Sequence, residues 1–154
     1  MKSQNASKLL GQIDLTMKNI SSFTNASKLE MSYLAKFLVV FICGIYEEII
    51  ETLVNEMVKK TNNPYVYKFI SNSLRKYFRN PNIAKIAGLL GDFNTQWKEE
   101  IKNLPDDVKT ALDNIYTNKN GIAHGDTINI TFADVCDFYG KSKAVIEKID
   151  DLLL

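Results

Sequence analysis

Leu34-Ala35-Lys36-Phe37-Leu38-Val39-Val40-Phe41-Ile42-Cys43-Gly44-Ile45-Tyr46-Glu47-Glu48-Ile49-Ile50 is the stretch that decides the fold. Leu34, Phe37, Leu38, Phe41, Ile42, Ile45 and Ile49 recur in steps of three and four, and Leu53 and Met57 continue the pattern. This is the period of an α-helix that turns one side to a core. Around Val39–Cys43 the helix is apolar on every side, which puts it at the centre of the fold. No proline interrupts the pattern between Leu29 and Lys60, and Asn62-Asn63-Pro64 ends it. Its most apolar run, Phe37 to Tyr46, is far shorter than the roughly 20 residues a membrane-spanning helix needs, and glutamates follow at once.

The flanks repeat the helical period. Leu9, Ile13, Leu15, Met17 and Ile20 mark a first helix. The string Asn-Ala-Ser-Lys-Leu occurs at Asn5–Leu9 and again at Asn25–Leu29, and both copies read as helix starts because Asn and Ser are good N-caps. Beyond Pro64 a third helix is expected over Tyr65–Phe78, with Phe69, Leu74, Tyr77 and Phe78 as its apolar side. Arg79-Asn80-Pro81-Asn82 is a turn. A shorter pattern follows at Ile83–Leu90, and Phe93, Trp97 and Ile101 keep four-residue steps as simple core positions. Pro105-Asp106-Asp107 opens another helix, with proline at the start and acids in the first turn. Its core face is Val108, Leu112, Ile115 and Tyr116. Asn120 to Ile130 holds two glycines and many polar residues and reads as a loop. Thr131 with Asp134 forms a capping box in its Asp variant. A last helix then carries Phe132, Val135, Tyr139, Val145, Ile149 and Leu152. No strand pattern and no linker is present. The expectation is an all-α bundle of about six helices in one domain over residues 1–154.

Composition excludes several classes. The chain has 154 residues, 45% of them apolar, enough to build a core without disulfides or metal. Its net charge of +1 creates no global field for nucleic acid, so any RNA site must be a local patch. Cys43 and Cys136 sit far apart in apolar-periodic segments and read as buried thiols of a reducing compartment. The polar start, Met1 to Asn5, is not followed by the apolar core of a signal peptide, so the expected location is cytoplasmic. One histidine and two distant cysteines make no zinc site. Phosphate-binding P-loops, dinucleotide-binding glycine motifs and G-x-S-x-G are absent.

What remains is Lys119-Asn120-Gly121-Ile122-Ala123-His124-Gly125. His124 is the only histidine and the natural candidate for proton transfer near neutral pH; the plainer reading is an ordinary loop or capping histidine. Lys119 falls four residues after Ile115 and so continues a core face. A lysine there snorkels out, caps the helix end, or meets an anion. On an unbroken helix Lys119 and His124 lie about 140° apart. They converge only if the backbone breaks between them, which Gly121 would permit, or if a second subunit contributes. Asn120 offers a donor and an acceptor, and a C-cap role is the alternative. Glu47, Glu48 and Glu51 are candidates to reach inward to Lys119 or His124, although at least two of them read as a solvated helix edge. Lys68, Arg75, Lys76, Arg79 and Lys85, interleaved with Tyr77 and Phe78, form the only basic cluster; it suits a nucleic-acid backbone, or simply a solvated face.

These residues together resemble the HEPN superfamily, whose signature is an arginine, a polar residue and then a histidine, often within Ile-Ala-His-Gly, near the end of an all-α domain. Cys43 to Glu47 in the long helix, Phe69-Ile70, Asn80-Pro81, Phe93, Trp97 and Thr131 to Tyr139 look like its RiboL-PSP-HEPN branch. The resemblance covers the chain from about residue 30 onward. It implies an up-and-down helical bundle with additional short helices, acting as a homodimer. It also implies metal-independent, cofactor-free RNA cleavage in toxin–antitoxin, phage-defence or RNA-processing systems, with an antitoxin or other defence protein as partner. His124 would then be the general acid/base, Lys119 would stand at the arginine position and Asn120 at the polar one. Lysine lacks the bidentate fork of arginine, so a non-cleaving module that binds RNA or protein is the rival implication.

Overall fold

The computed structural model describes residues 1–154 and contains seven α-helices and no strands. They are α1 (Gln4–Ser21), α2 (Lys28–Lys59), α3 (Pro64–Tyr77), α4 (Ile83–Phe93), α5 (Thr95–Lys102), α6 (Asp106–His124) and α7 (Phe132–Leu153). None is long and apolar enough to cross a membrane.

Helix α2 is the axis of the molecule, packed against α1, α3, α6 and α7. Its start is fixed by a reciprocal cap: Ser27 Oγ accepts from the Glu30 N–H at 3.2 Å, and Glu30 Oε2 accepts from the Ser27 N–H at 2.7 Å. The same device starts α7, where Thr131 and Asp134 exchange bonds of 3.1 and 2.9 Å. The second Asn-Ala-Ser-Lys-Leu string therefore is a helix start, through Ser27. The first is not. Ser3 caps α1, accepting from Ala6 at 3.1 Å, and Asn5 already lies inside the first turn.

Long-range bonds give the helix directions. Ser3 at the start of α1 donates its N–H to Asp150 near the end of α7, and Tyr139 further up α7 donates to Asp14 at 2.7 Å, so α1 and α7 run antiparallel. Asn5 reaches Glu56, so α1 and α2 are antiparallel as well. Tyr46 on α2 meets Ser142 on α7 at 2.9 Å. Helices α1, α2, α6 and α7 thus form an up-and-down bundle, and α3, α4 and α5 are the additional short helices between α2 and α6. The 30-residue core is centred on Tyr46, Ile42, Ile49, Ile50 and Leu53, all fully buried. Burying such side chains contributes about 1.5–3 kcal/mol each.

Several expected core positions face out instead. Phe69 and Tyr77 on α3 are 70% and 72% exposed, and Leu15 is exposed on α1. A helical period shows which residues share a face, but not whether the chain covers that face. Helix α2 also leaves an apolar stripe uncovered: Leu29, Tyr33, Phe37 and Val40 follow one another in steps of four, four and three. Cys43 is buried, but Cys136 is only half-buried. Phe93 and Trp97 do not share one helix, because Asn94 ends α4 and caps α5.

Candidate active site

Helix α6 is continuous through the motif. Lys119, Asn120 and Gly121 lie inside it, and it ends at His124. The loop expected from Asn120 therefore begins only after His124. The backbone does not break at Gly121, since a single glycine costs a helix only about 0.5–1 kcal/mol against alanine. The break comes at Gly125, which is left-handed at φ 79°. The Gly125 N–H donates to Ile122 O at 3.2 Å and the Asp126 N–H to Gly121 O at 2.9 Å, the paired bonds of a glycine-terminated helix.

Gly121 serves packing instead. It is buried, and a Cβ placed there would lie 2.5 Å from Ile128 Cδ1 and 3.1 Å from Cγ1. The missing side chain is the socket into which the returning loop sets Ile128.

On this unbroken helix Lys119 and His124 face different sides. Lys119 is half-buried and points toward α2 and the α3–α4 turn. Its ammonium donates to Asn80 Oδ1 in that turn. His124 is exposed and makes no hydrogen bond or ion pair within the chain. Asn120 is half-buried, and its side chain has no partner within the chain. It does not cap the helix.

Among the three glutamates, Glu47 is the one that faces the site, though it bonds to Asn80 and not to Lys119. Its Oε1 accepts the Asn80 N–H, and its Oε2 pairs with the Arg79 guanidinium at 3.6 Å. Glu51 pairs with Arg75 at 2.7 Å, and Glu48 lies exposed on the helix edge. The basic cluster is accordingly divided. Arg75 and Arg79 are paired with α2 carboxylates, Lys76 lies over the Tyr77 ring at 4.9 Å, and Lys68 stands in solvent. Lys85 donates to Arg79 O at 2.7 Å and sits 5.7 Å from the Tyr116 ring centre, so it tightens the turn.

Cys43 lies under this assembly. Burial pushes its thiol up to about 11, and the Glu47 charge adds to the shift, while the Lys119 and Lys85 ammonium groups oppose it. The thiol is therefore neutral at physiological pH and packs as an apolar group. No three His, Cys, Asp or Glu side chains cluster closely enough to hold a metal ion.

Asn80 is the site residue that sequence patterns missed. Its φ of 56° is left-handed, a conformation Asn adopts more readily than other side-chain-bearing residues. An asparagine in a short Asn-Pro turn was the available signal. Its partners lie on other helices, and only folding brings them to it.

The all-α bundle, with its penultimate helix ending at His124, is a HEPN-type domain. The chain belongs to the RiboL-PSP-HEPN family, whose sequence model matches residues 3–154. No curated protein and no solved structure is significantly similar to it.

Proposed function

We propose that this protein is a metal-independent endoribonuclease that cleaves RNA at a composite cleft between two copies of the chain. The observation that carries the reading is the placement of His124: the only histidine, exposed and unpaired, at the end of α6 and turned away from Lys119. RNA cleavage by internal attack needs one group to take the 2′-OH proton and another to protonate the departing 5′-oxygen. The 2′-oxygen then bonds to phosphorus, and the products are a 2′,3′-cyclic phosphate and a 5′-hydroxyl. One chain has a single imidazole, and a two-fold dimer has two. Lys119 would stabilise the charge that builds on the phosphorane, and Asn120, on the same stripe of α6 as His124, would orient the phosphate.

The uncovered stripe of α2 supports the dimer. Lys119 faces the Cys43–Glu47 level of α2, and the loop after α6 reaches Lys28–Ser32, where Asn129 to Phe132 line a shared cleft. Helix α6 therefore runs antiparallel to α2, so His124 lies toward the half of α2 that carries Tyr33, Phe37 and Val40. A second copy seated on this stripe would bring its own His124 to the first. The setting that fits is toxin–antitoxin, phage defence or RNA processing in the cytoplasm, with RNA as substrate and an antitoxin or defence protein as partner.

A second reading is a catalytically inactive HEPN domain that binds RNA or protein or serves in dimerisation. It is favoured by the lysine at the arginine position and by that lysine's engagement with Asn80. RNA cleavage in EDTA by wild type and His124→Ala, beside a mass measurement in solution, separates the two. The nuclease reading expects a dimer, cleavage by wild type and loss in the variant. Intact RNA across a broad panel would leave the binding module.

A further inference from the structure

Asn80 joins three elements of the site. It sits in the turn between α3 and α4, its N–H is held by Glu47 of α2, and its side-chain oxygen accepts from Lys119 of α6. The turn itself is braced from both ends. Arg79 pairs with Glu47, Lys85 donates to Arg79 O, and Asp113 of α6 accepts from the Ile83 N–H at 3.0 Å. The left-handed backbone at Asn80 is therefore fixed by its surroundings.

The kind of acceptor matters. Glu47 stands close enough to reach the Asn80 backbone, and a carboxylate facing Lys119 would cancel its charge. Both Glu47 oxygens are engaged elsewhere, one by the Asn80 N–H and one by Arg79. Lys119 meets a neutral amide oxygen instead. An ammonium has three donors, and Asn80 takes one. Lysine also has a flexible stem where arginine has a rigid fork, so a lysine at an arginine position needs outside help to be preorganised.

We propose that Asn80 is a positioning residue: fixed in its left-handed turn by Glu47, it holds the Lys119 ammonium in place while leaving it charged and free to donate to an RNA phosphate. The identity of that phosphate rests on the nuclease reading above, and the Asn80–Lys119 link does not. Asn80 thereby supplies the fixed geometry that lysine lacks.

Two variants test this. Asn80→Gly keeps the left-handed turn and removes the acceptor, and Asn80→Asp replaces the neutral acceptor with a charged one. Both should keep the wild-type circular dichroism spectrum and melting temperature to within a few degrees, because glycine and aspartate tolerate that backbone. In free protein labelled at lysine, with Lys119→Arg to assign the signal, the Lys119 ammonium hydrogens should exchange slowly in wild type and fast in Asn80→Gly. Asn80→Asp should slow that exchange further than in wild type, because a carboxylate holds an ammonium more tightly than an amide oxygen does. In the EDTA assay both variants should lose roughly tenfold to hundredfold in kcat with little change in KM, the scale of one hydrogen bond to a charged group. Wild-type kcat in both variants, or a Lys119 signal unmoved by Asn80→Gly, overturns the proposal. If wild type leaves RNA intact, the nuclease reading fails by itself. The resonance measurement then decides the positioning role: altered Lys119 exchange supports it, and unaltered exchange removes it.

Discussion

Lys119 and His124 lie five residues apart on one unbroken helix, which turns them about 140° away from each other. Lys119 reaches inward to the α3–α4 turn, and His124 stands in solvent at the helix end. Within one chain no contact joins Lys119 to His124, and there is no second imidazole to share the two proton transfers. This relationship separates a site made by one chain from a site made by two.

Mixing decides between them. If the cleft needs both imidazoles, a dimer of one wild-type and one His124→Ala chain is inactive. After denaturation and refolding of the two together, cleavage should fall with the square of the wild-type fraction. A linear fall would mean that each protomer cleaves with its own histidine, and the composite cleft would have to be abandoned.

Gly121 and Ile128 should be coupled. An alanine at 121 gains about 1 kcal/mol in helix propensity. Its Cβ would also press on Ile128 Cδ1 at 2.5 Å, and overpacking of this kind costs about 1–3 kcal/mol. Gly121→Ala alone should therefore destabilise modestly in urea. Ile128→Val removes the crowded Cδ1, so the double variant should recover about 1 kcal/mol relative to the sum of the singles. Additive effects would show that Ile128 merely rotates aside.

The same pair marks the limit of what sequence discloses. The start and end of α2 and the capping box of α7 were legible because each is set by residues within four positions of one another. The all-α fold followed from the period in Leu34–Ile49. The role of Gly121 was not legible: read locally, a glycine suggests a hinge, and only the returning loop shows that it is a socket. Asn80 was hidden for a related reason, since Glu47 and Lys119 stand 33 and 39 residues from it. Phe69 and Tyr77 matched a core period yet face solvent, because periodicity says nothing of what lies opposite.

Stability should fall in mild alkali. Cys43 ordinarily ionises at 9.0 and is pushed up to about 11 in the fold. Between those values the unfolded chain has released the thiol proton and the native chain keeps it. Unfolding therefore becomes easier as pH rises through this window, and the full stability is present below it. At about 1.4 kcal/mol per unit, the loss between pH 8 and pH 10 should be about 1 kcal/mol. Tyr46 and Tyr139, also raised by burial from 10.0, begin to add to the loss near pH 10 and add more above it. Urea midpoints at the two pH values measure it, and Cys43→Ala should lose distinctly less. An equal loss in that variant would clear the thiol of the effect.

The α2 stripe gives the last test. Tyr33 and Phe37 are 62% and 52% exposed, so glutamates there cost the monomer mainly the stacking of Phe37 on Phe41, about 1 kcal/mol. If a second copy covers the stripe, two like charges facing their symmetry mates would be buried without partners, which an interface does not tolerate. Tyr33→Glu with Phe37→Glu should halve the mass in solution while preserving the helical spectrum. Cleavage should disappear with the dimer, although neither residue carries any of the chemistry. A variant that stays dimeric would move the interface elsewhere on the bundle. A monomer that still cuts RNA would show that one His124 suffices.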